Sequence, residues 1–168
     1  MTLNQTYEAI REDFRHNIYP KSYVILVLYR LSHYAVTGSK LRLLICSPLV
    51  AIYLGLVKWV LGVEIPPKTQ IGKGFVIYHG FGLVINAESQ IGDHVIVRQG
   101  CCIGNNVTSD GRKTAAPIVG SGVEMGVNAL ILGPVSVGDN ARIGAGAVVV
   151  KDCAPNTTYV GVPAKALA

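Results

Sequence analysis

The chain has 168 residues, half of them hydrophobic and only 15% charged. That excludes a disordered segment and leaves room for one domain with a real apolar core. The formal charge is +5, yet no lysine–arginine run and no interleaving of basic with aromatic residues marks a nucleic-acid surface. The four cysteines, Cys46, Cys101, Cys102 and Cys153, form no CxxC pair and no zinc spacing. Met1–Asn17 is polar, unlike a secretory leader, so a reduced, cytoplasmic setting is expected, with Cys101 and Cys153 as small apolar fillers.

Residues 1–62 read as an N-terminal helical region. Leu3–Phe14 is charged and amphipathic, with Asn4 or Thr6 as its cap. After Pro20, Tyr23–Val36 is apolar with Arg30 and His33 set into it, and Gly38 ends it. Ser39 suits a short Lys40–Cys46 turn. Ser47 followed by Pro48 then signals a fresh helix to Leu61, stopped by Gly62. Leu43–Val57 carries no charged side chain. A bilayer span wants about 20 apolar residues, and Pro48 breaks this run near its start. A buried or subunit-facing helix is therefore expected, with shallow attachment to a membrane surface as the other reading.

From residue 71 the period changes to six. The chain parses as IGKGFV, IYHGFG, LVINAESQ with two surplus residues, IGDHVI, VRQGCC and IGNNVT. After an interruption it resumes as VGSGVE, MGVNAL, ILGPVS, VGDNAR, IGAGAV and VVKDCA. The first position is always aliphatic, including Leu83. The fifth is mostly small or β-branched, including Ala87 and Val107, with Phe75 and Phe81 the larger exceptions. Six fits neither a helix nor a lone strand. It fits a mainly β fold, a left-handed parallel β-helix of about four coils over residues 63–168. The polar segment 109–117, SDGRKTAAP, reads as a loop ejected from the solenoid, where function tends to sit.

His79 holds the third place of its hexapeptide and so points away from the core. A neutral imidazole titrates near pH 6.5 and suits removal of a proton from a hydroxyl. His16, His33 and His94 read as ordinary histidines. Only His79 and His94 lie in the solenoid, so no zinc triad and no metal is expected.

The ordered segments VEIPPKTQIGKGFVIYHGFGLVIN, IGDHVIVRQGCCIG, a loop ending in Pro117, GAGAVVVKD and GVPAK resemble the serine acetyltransferases. They are closer still to the related colanic-acid-type and capsule-type O-acetyltransferases, over about residues 20–168. The resemblance implies a homotrimer with acetyl-CoA lying in the groove between neighbouring solenoids. It implies His79 as general base, with Glu64 of VEIPP orienting it. It places cofactor contacts around Gly104, Asn105, Gly126, Val127, Gly144 and Ala145, where glycine would allow close backbone approach. Lys151 and Lys165 are candidates for the phosphates of the nucleotide end.

The chain departs from the serine enzymes where they read the amino acid. Tyr78 replaces the aspartate before the catalytic histidine, and Ala115 and Ala116 replace the arginine and histidine before the loop's final proline. An aromatic in place of an acid suits a sugar, and Tyr78 and Phe81 are the expected acceptor contacts. The expected activity is acetyl transfer to a carbohydrate hydroxyl of a surface-polysaccharide precursor. Serine O-acetylation and a non-catalytic oligomeric scaffold are the alternatives.

Overall fold

In the computed structural model, which describes residues 1–167, the N-terminal region is three helices. Helix α1 (Leu3–His16) starts at Thr2 rather than at Asn4 or Thr6. The Thr2 hydroxyl accepts from the Gln5 amide while the Gln5 side chain accepts from the Thr2 amide, a reciprocal capping box. Thr6 is instead buried and donates back to the Thr2 carbonyl. Helix α2 (Pro20–Val36) begins at its proline, whose missing N–H is harmless in a first turn.

Helix α3 (Lys40–Tyr53) is capped by Ser39, which accepts from the Arg42 amide. It does not stop at Pro48. Proline has no N–H to give the Leu44 carbonyl, and the Ser47 hydroxyl supplies that bond at 2.9 Å. Ser47–Pro48 is thus an internal repair, not a new start. The helix widens into a π-helical segment, Leu54–Val60, for 21 helical residues from Lys40.

From Val63 the chain winds into a solenoid of three parallel faces. The first stacks Val63–Glu64, Leu83–Ile85, Cys102–Gly104, Leu130–Leu132 and Val148–Val149. The second stacks Gln70–Ile71, Gln90–Ile91, Ile118–Val119 and Ser136–Val137. The third stacks Val76–Ile77, Ile96–Val97, Glu124–Met125, Arg142–Ile143 and Thr158–Val160, with Lys165–Ala166 folded back antiparallel at its end. Five strands on the first face make five turns, one more than the hexapeptides counted, because VEIPP already supplies a strand ahead of Ile71.

Strand register corrects the parse of the first repeat. Ile85 pairs with Ile103, so Ile85 is the large core residue of its turn. Leu83 falls level with Cys101, at the smaller position that Ala129 and Ala147 fill in later turns. The two surplus residues therefore belong to the corner before Leu83, not to the segment after it. Phe81 and Val107, read as inward positions, are 63% and 65% exposed, and Ala87 lies half-buried in a turn. Phe81 rides on that corner. Val107 bridges Lys113 in an antiparallel turn, so the ejected loop begins before Ser109.

A solenoid leaves the strand edge of its first turn without partners. Polar side chains of the helical layer meet that edge. The Asp13 carboxylate accepts from the Phe75 amide; Asn17 donates to the Phe75 carbonyl and accepts from the Ile77 amide. Ser22 and Tyr29 donate to the carbonyls of Ile77 and Thr69. Arg30 donates to the carbonyls of Ile71 and Gly72 and forms a two-pronged ion pair with Asp13, 2.8 Å at its shortest. Asp13 and Arg30 are each 1% exposed. Burial pushes the Asp13 carboxyl above its ordinary pKa despite Arg30.

Candidate active site

The edge between the third and first faces is turned by three residues in most turns: Arg98–Gln99–Gly100, Gly126–Val127–Asn128 and Gly144–Ala145–Gly146. In the first repeat the same edge takes five, Tyr78 to Gly82. Gly82 holds the left-handed position that Gly100, Asn128 and Gly146 hold below it. Phe81 stands over Gln99, since the Phe81 carbonyl accepts from Gly100 as Gln99 does from Asn128. The added pair is His79–Gly80, both left-handed at φ 65° and 71°. A non-glycine residue in that region is uncommon and mildly strained. The bulge pushes the His79 imidazole outward, and His79 is exposed.

Rings and cations line the same corner. Tyr19, at the entrance to α2, lies with its ring centroid 4.8 Å from that of His79 and 6.0 Å from that of Tyr78. Lys21 Nζ sits 3.1 Å from the centroid of the Phe81 ring, and the Arg98 guanidinium 5.3 Å from that of Tyr78. Lys21 Nζ is shielded from solvent and has no hydrogen-bond partner among the described residues. Burial draws its pKa below the ordinary lysine value. Tyr19, Lys21 and Arg98 were not singled out in the sequence. Arg98 could have been, because it follows Tyr78 in register one turn on. Tyr19 and Lys21 reach the corner only because α2 docks on the solenoid.

Glu64 is not joined to His79. Among the described residues its partner is Lys58, at 3.1 Å, and its side chain is 46% exposed. It is nevertheless close by topology, two residues past Gly62, whose carbonyl accepts from Gly82 at the end of the His79 corner.

The cofactor candidates fall on two edges. Gly126, Val127, Gly144 and Ala145 continue the edge of His79, and the antiparallel strand carrying Lys165 lies past its last turn. Gly104, Asn105 and Lys151 lie along the next edge, between the first and second faces. The glycines differ in cause. A β-carbon at Gly126 would stand 2.5 Å from the Ala145 amide nitrogen, and one at Gly144 would stand 2.8 Å from Val160. Coil stacking against backbone therefore already requires glycine at Gly126, while at Gly144 the close neighbour is a side-chain methyl and the nearest backbone atom is 3.4 Å away. At Gly104 the nearest atom is 4.0 Å away, so internal packing does not require glycine there. Glu12, His16 and His94 gather ligand atoms within 4.8 Å of one another at the edge between the second and third faces. That grouping was not expected, and it lies on a different edge from His79.

No family model matches the chain. It is 35% identical over 158 residues to the Escherichia coli K12 protein named "Putative colanic acid biosynthesis acetyltransferase WcaB", covering 92% of this chain and 96% of that one. It is 39% identical over 112 residues to a serine acetyltransferase of Helicobacter pylori J99, covering 67% and 64%. The serine acetyltransferase structure from Neisseria gonorrhoeae aligns with a TM-score of 0.78 at 28% identity, over 98% of this chain and 66% of that one. A serine acetyltransferase in complex with CoA aligns with a TM-score of 0.71 at 31% identity, over 89% and 58%. The near full-length likeness to the E. coli protein, on a solenoid shared with the serine enzymes, shows that the chain belongs to the serine acetyltransferase-like hexapeptide-repeat acetyltransferases and is an acyltransferase.

Proposed function

We propose that this chain transfers acetyl from acetyl-CoA to a hydroxyl of a carbohydrate, a surface-polysaccharide precursor in the cytoplasm, with His79 as general base. The imidazole takes the hydroxyl proton as the oxygen attacks the thioester carbonyl. The tetrahedral intermediate collapses, the CoA thiolate leaves, and the imidazolium returns the proton to it. The thioester is already activated, so no acyl-enzyme is required. The arm of acetyl-CoA runs down the His79 edge. Turns repeat about every 4.8 Å, so Val127 and Ala145 stand roughly two and three turns away, with Lys165 placed for the phosphates. Gly104, Asn105 and Lys151 face another edge, so they would complete the groove from a neighbouring copy, as a homotrimer provides.

The observation that supports a sugar is the wall of Tyr19, Tyr78 and Phe81 about His79, where ring faces can pack on sugar C–H groups. Lys21 and Arg98 add positive charge and suit an acceptor bearing an acidic group. An amino acid needs a carboxylate for its ammonium group, and Tyr78 stands where the serine enzymes have one. Unpaired polar groups in a binding site cost a few kcal/mol each, so L-serine should react at least about a hundredfold more slowly than the best acceptor. Purified protein, acetyl-CoA and a panel of neutral, acidic, nucleotide-linked and lipid-linked sugars, read by thiol release, test this. Strong saturable turnover of L-serine would replace the sugar reading with serine acetylation.

Glu64 belongs to the proposal as the group that orients His79. An exposed ion pair such as Glu64–Lys58 contributes little, so the carboxylate can leave Lys58 for the imidazole when acceptor binds. Glu64→Gln should then slow turnover and shift the pH–rate profile, whereas Lys58→Gln should not. Equal, small effects of the two substitutions would reduce Glu64 to a partner of Lys58.

A further inference from the structure

The helix from Lys40 to Val60 carries a large apolar surface that the fold does not cover. Leu41, Leu44, Ile45 and Ile52 are 66%, 70%, 69% and 57% exposed, and Trp59 is 81% exposed. The first four, with exposed Pro48, follow the i, i+3, i+4, i+7, i+11 spacing of a single helical stripe. The opposite side holds Tyr53 and Val57, both buried. A contiguous apolar surface of this kind marks an interaction site.

Charge says what covers it. From Phe14 to Val63 the chain has no aspartate or glutamate, while it has Arg15, Lys21, Arg30, Lys40, Arg42 and Lys58. Lys40, Arg42 and Lys58 belong to this helix itself, and Lys40 and Arg42 flank the start of the stripe. Lys58 is held by Glu64 just beyond that segment, so two copies meeting through this face would set Lys40 and Arg42 against one another with no acid of the segment to pair them. A surface of anionic headgroups over hydrocarbon satisfies both features: the apolar side chains enter the acyl boundary and the cations meet the headgroups.

The helix has the length to cross a bilayer, 21 residues, but both its ends are fastened to one body. Near its start, Arg42 stacks on Tyr34 of α2, 4.0 Å from the ring centroid. Near its end, the Tyr53 hydroxyl donates to the Ile65 carbonyl and Lys58 pairs with Glu64. Helix α2 is in turn bonded along its length to the first solenoid turn, from Ser22 to His33. The helix is held flat against the protein with its stripe outward.

We propose that the outward stripe of this helix docks the enzyme on an anionic lipid bilayer, lying in the plane of the interface. The proposal is independent of the acceptor. Trp59 is the chain's single tryptophan and reports on it directly. With the full chain, vesicles of phosphatidylcholine and phosphatidylglycerol should shift its emission to shorter wavelength and carry the protein upward in flotation. Vesicles of phosphatidylcholine alone should do so far less, and added salt should weaken the effect. Leu44→Glu combined with Ile45→Glu should reduce partitioning at least about tenfold. Lys40→Gln should reduce it about fivefold. The wild-type comparison of the two lipids stands without any variant. Absence of shift and flotation with the anionic vesicles overturns the proposal. So does a blue shift that grows with protein concentration in the absence of vesicles, which would assign the stripe to a second copy.

Discussion

Arg30→Met should lower the stability of the fold by about 3–5 kcal/mol, the range for removing one partner of a buried ion pair. Arg30 is 1% exposed and its guanidinium serves the Asp13 carboxylate and the carbonyls of Ile71 and Gly72 at once. Methionine fills part of the volume but leaves the buried Asp13 carboxylate without that partner and the half-buried carbonyls of Ile71 and Gly72 without theirs. The Asp13 carboxylate suffers most, because it already sits above its ordinary pKa through burial. Its bond to the Phe75 amide, which closes the first solenoid turn, then loses its electrostatic support. For a chain of this length the expected fall in thermal midpoint is about 10 °C. Arg15→Met breaks the more exposed pair with Glu12 and should change stability by less than about 1 kcal/mol. Urea denaturation of the two variants side by side checks this. Equal midpoints would mean that the Asp13–Arg30 pair does not close the end of the solenoid.

That pair also marks a limit of what sequence can show. The period of six was legible because one aliphatic residue per face must recur for the core to fill, and Ile91, Val97, Ile103, Ile131 and Val149 keep that rhythm. Register within the first repeat was not. Leu83 and Ile85 are both aliphatic and two apart, so either satisfies the pattern, and only pairing with Ile103 decides. The consequence is local and functional, because the surplus residues then fall at His79–Gly80. Pro48 misled for a different reason. Ser-Pro opens a helix or sits inside one depending on whether the serine turns back to serve the orphaned carbonyl, as Ser47 does for Leu44. Asp13 lies in a charged, amphipathic stretch and Asn17 and Ser22 beyond its end, yet all three are buried. Their partners are backbone groups some 60 residues away, which no local periodicity encodes. The same docking brings Tyr19 to His79 and Lys21 to Phe81, contacts that neither the outward hexapeptide place of His79 nor its motif reveals.

His79→Ala should reduce acetyl transfer by about 10²–10⁴-fold, the usual loss on removing a general base. Alanine at a left-handed position is itself unfavourable, so the loss could be blamed on a distorted corner. His79→Asn separates the two causes. Asn128, Asn140 and Asn156 already occupy left-handed positions in this solenoid, so asparagine should keep the backbone of the bulge while being unable to take a proton at neutral pH. The most direct measurement is the rate of CoA thiol release by His79→Asn and wild-type protein on the best acceptor, alongside CoA binding followed by thermal shift. The result expected is CoA binding equal to wild type with turnover reduced at least about a hundredfold. Turnover within a few-fold of wild type in the folded variant, or wild-type protein that does not bind CoA at all, would contradict the assignment of His79 as the base of an acetyl-CoA-dependent transferase.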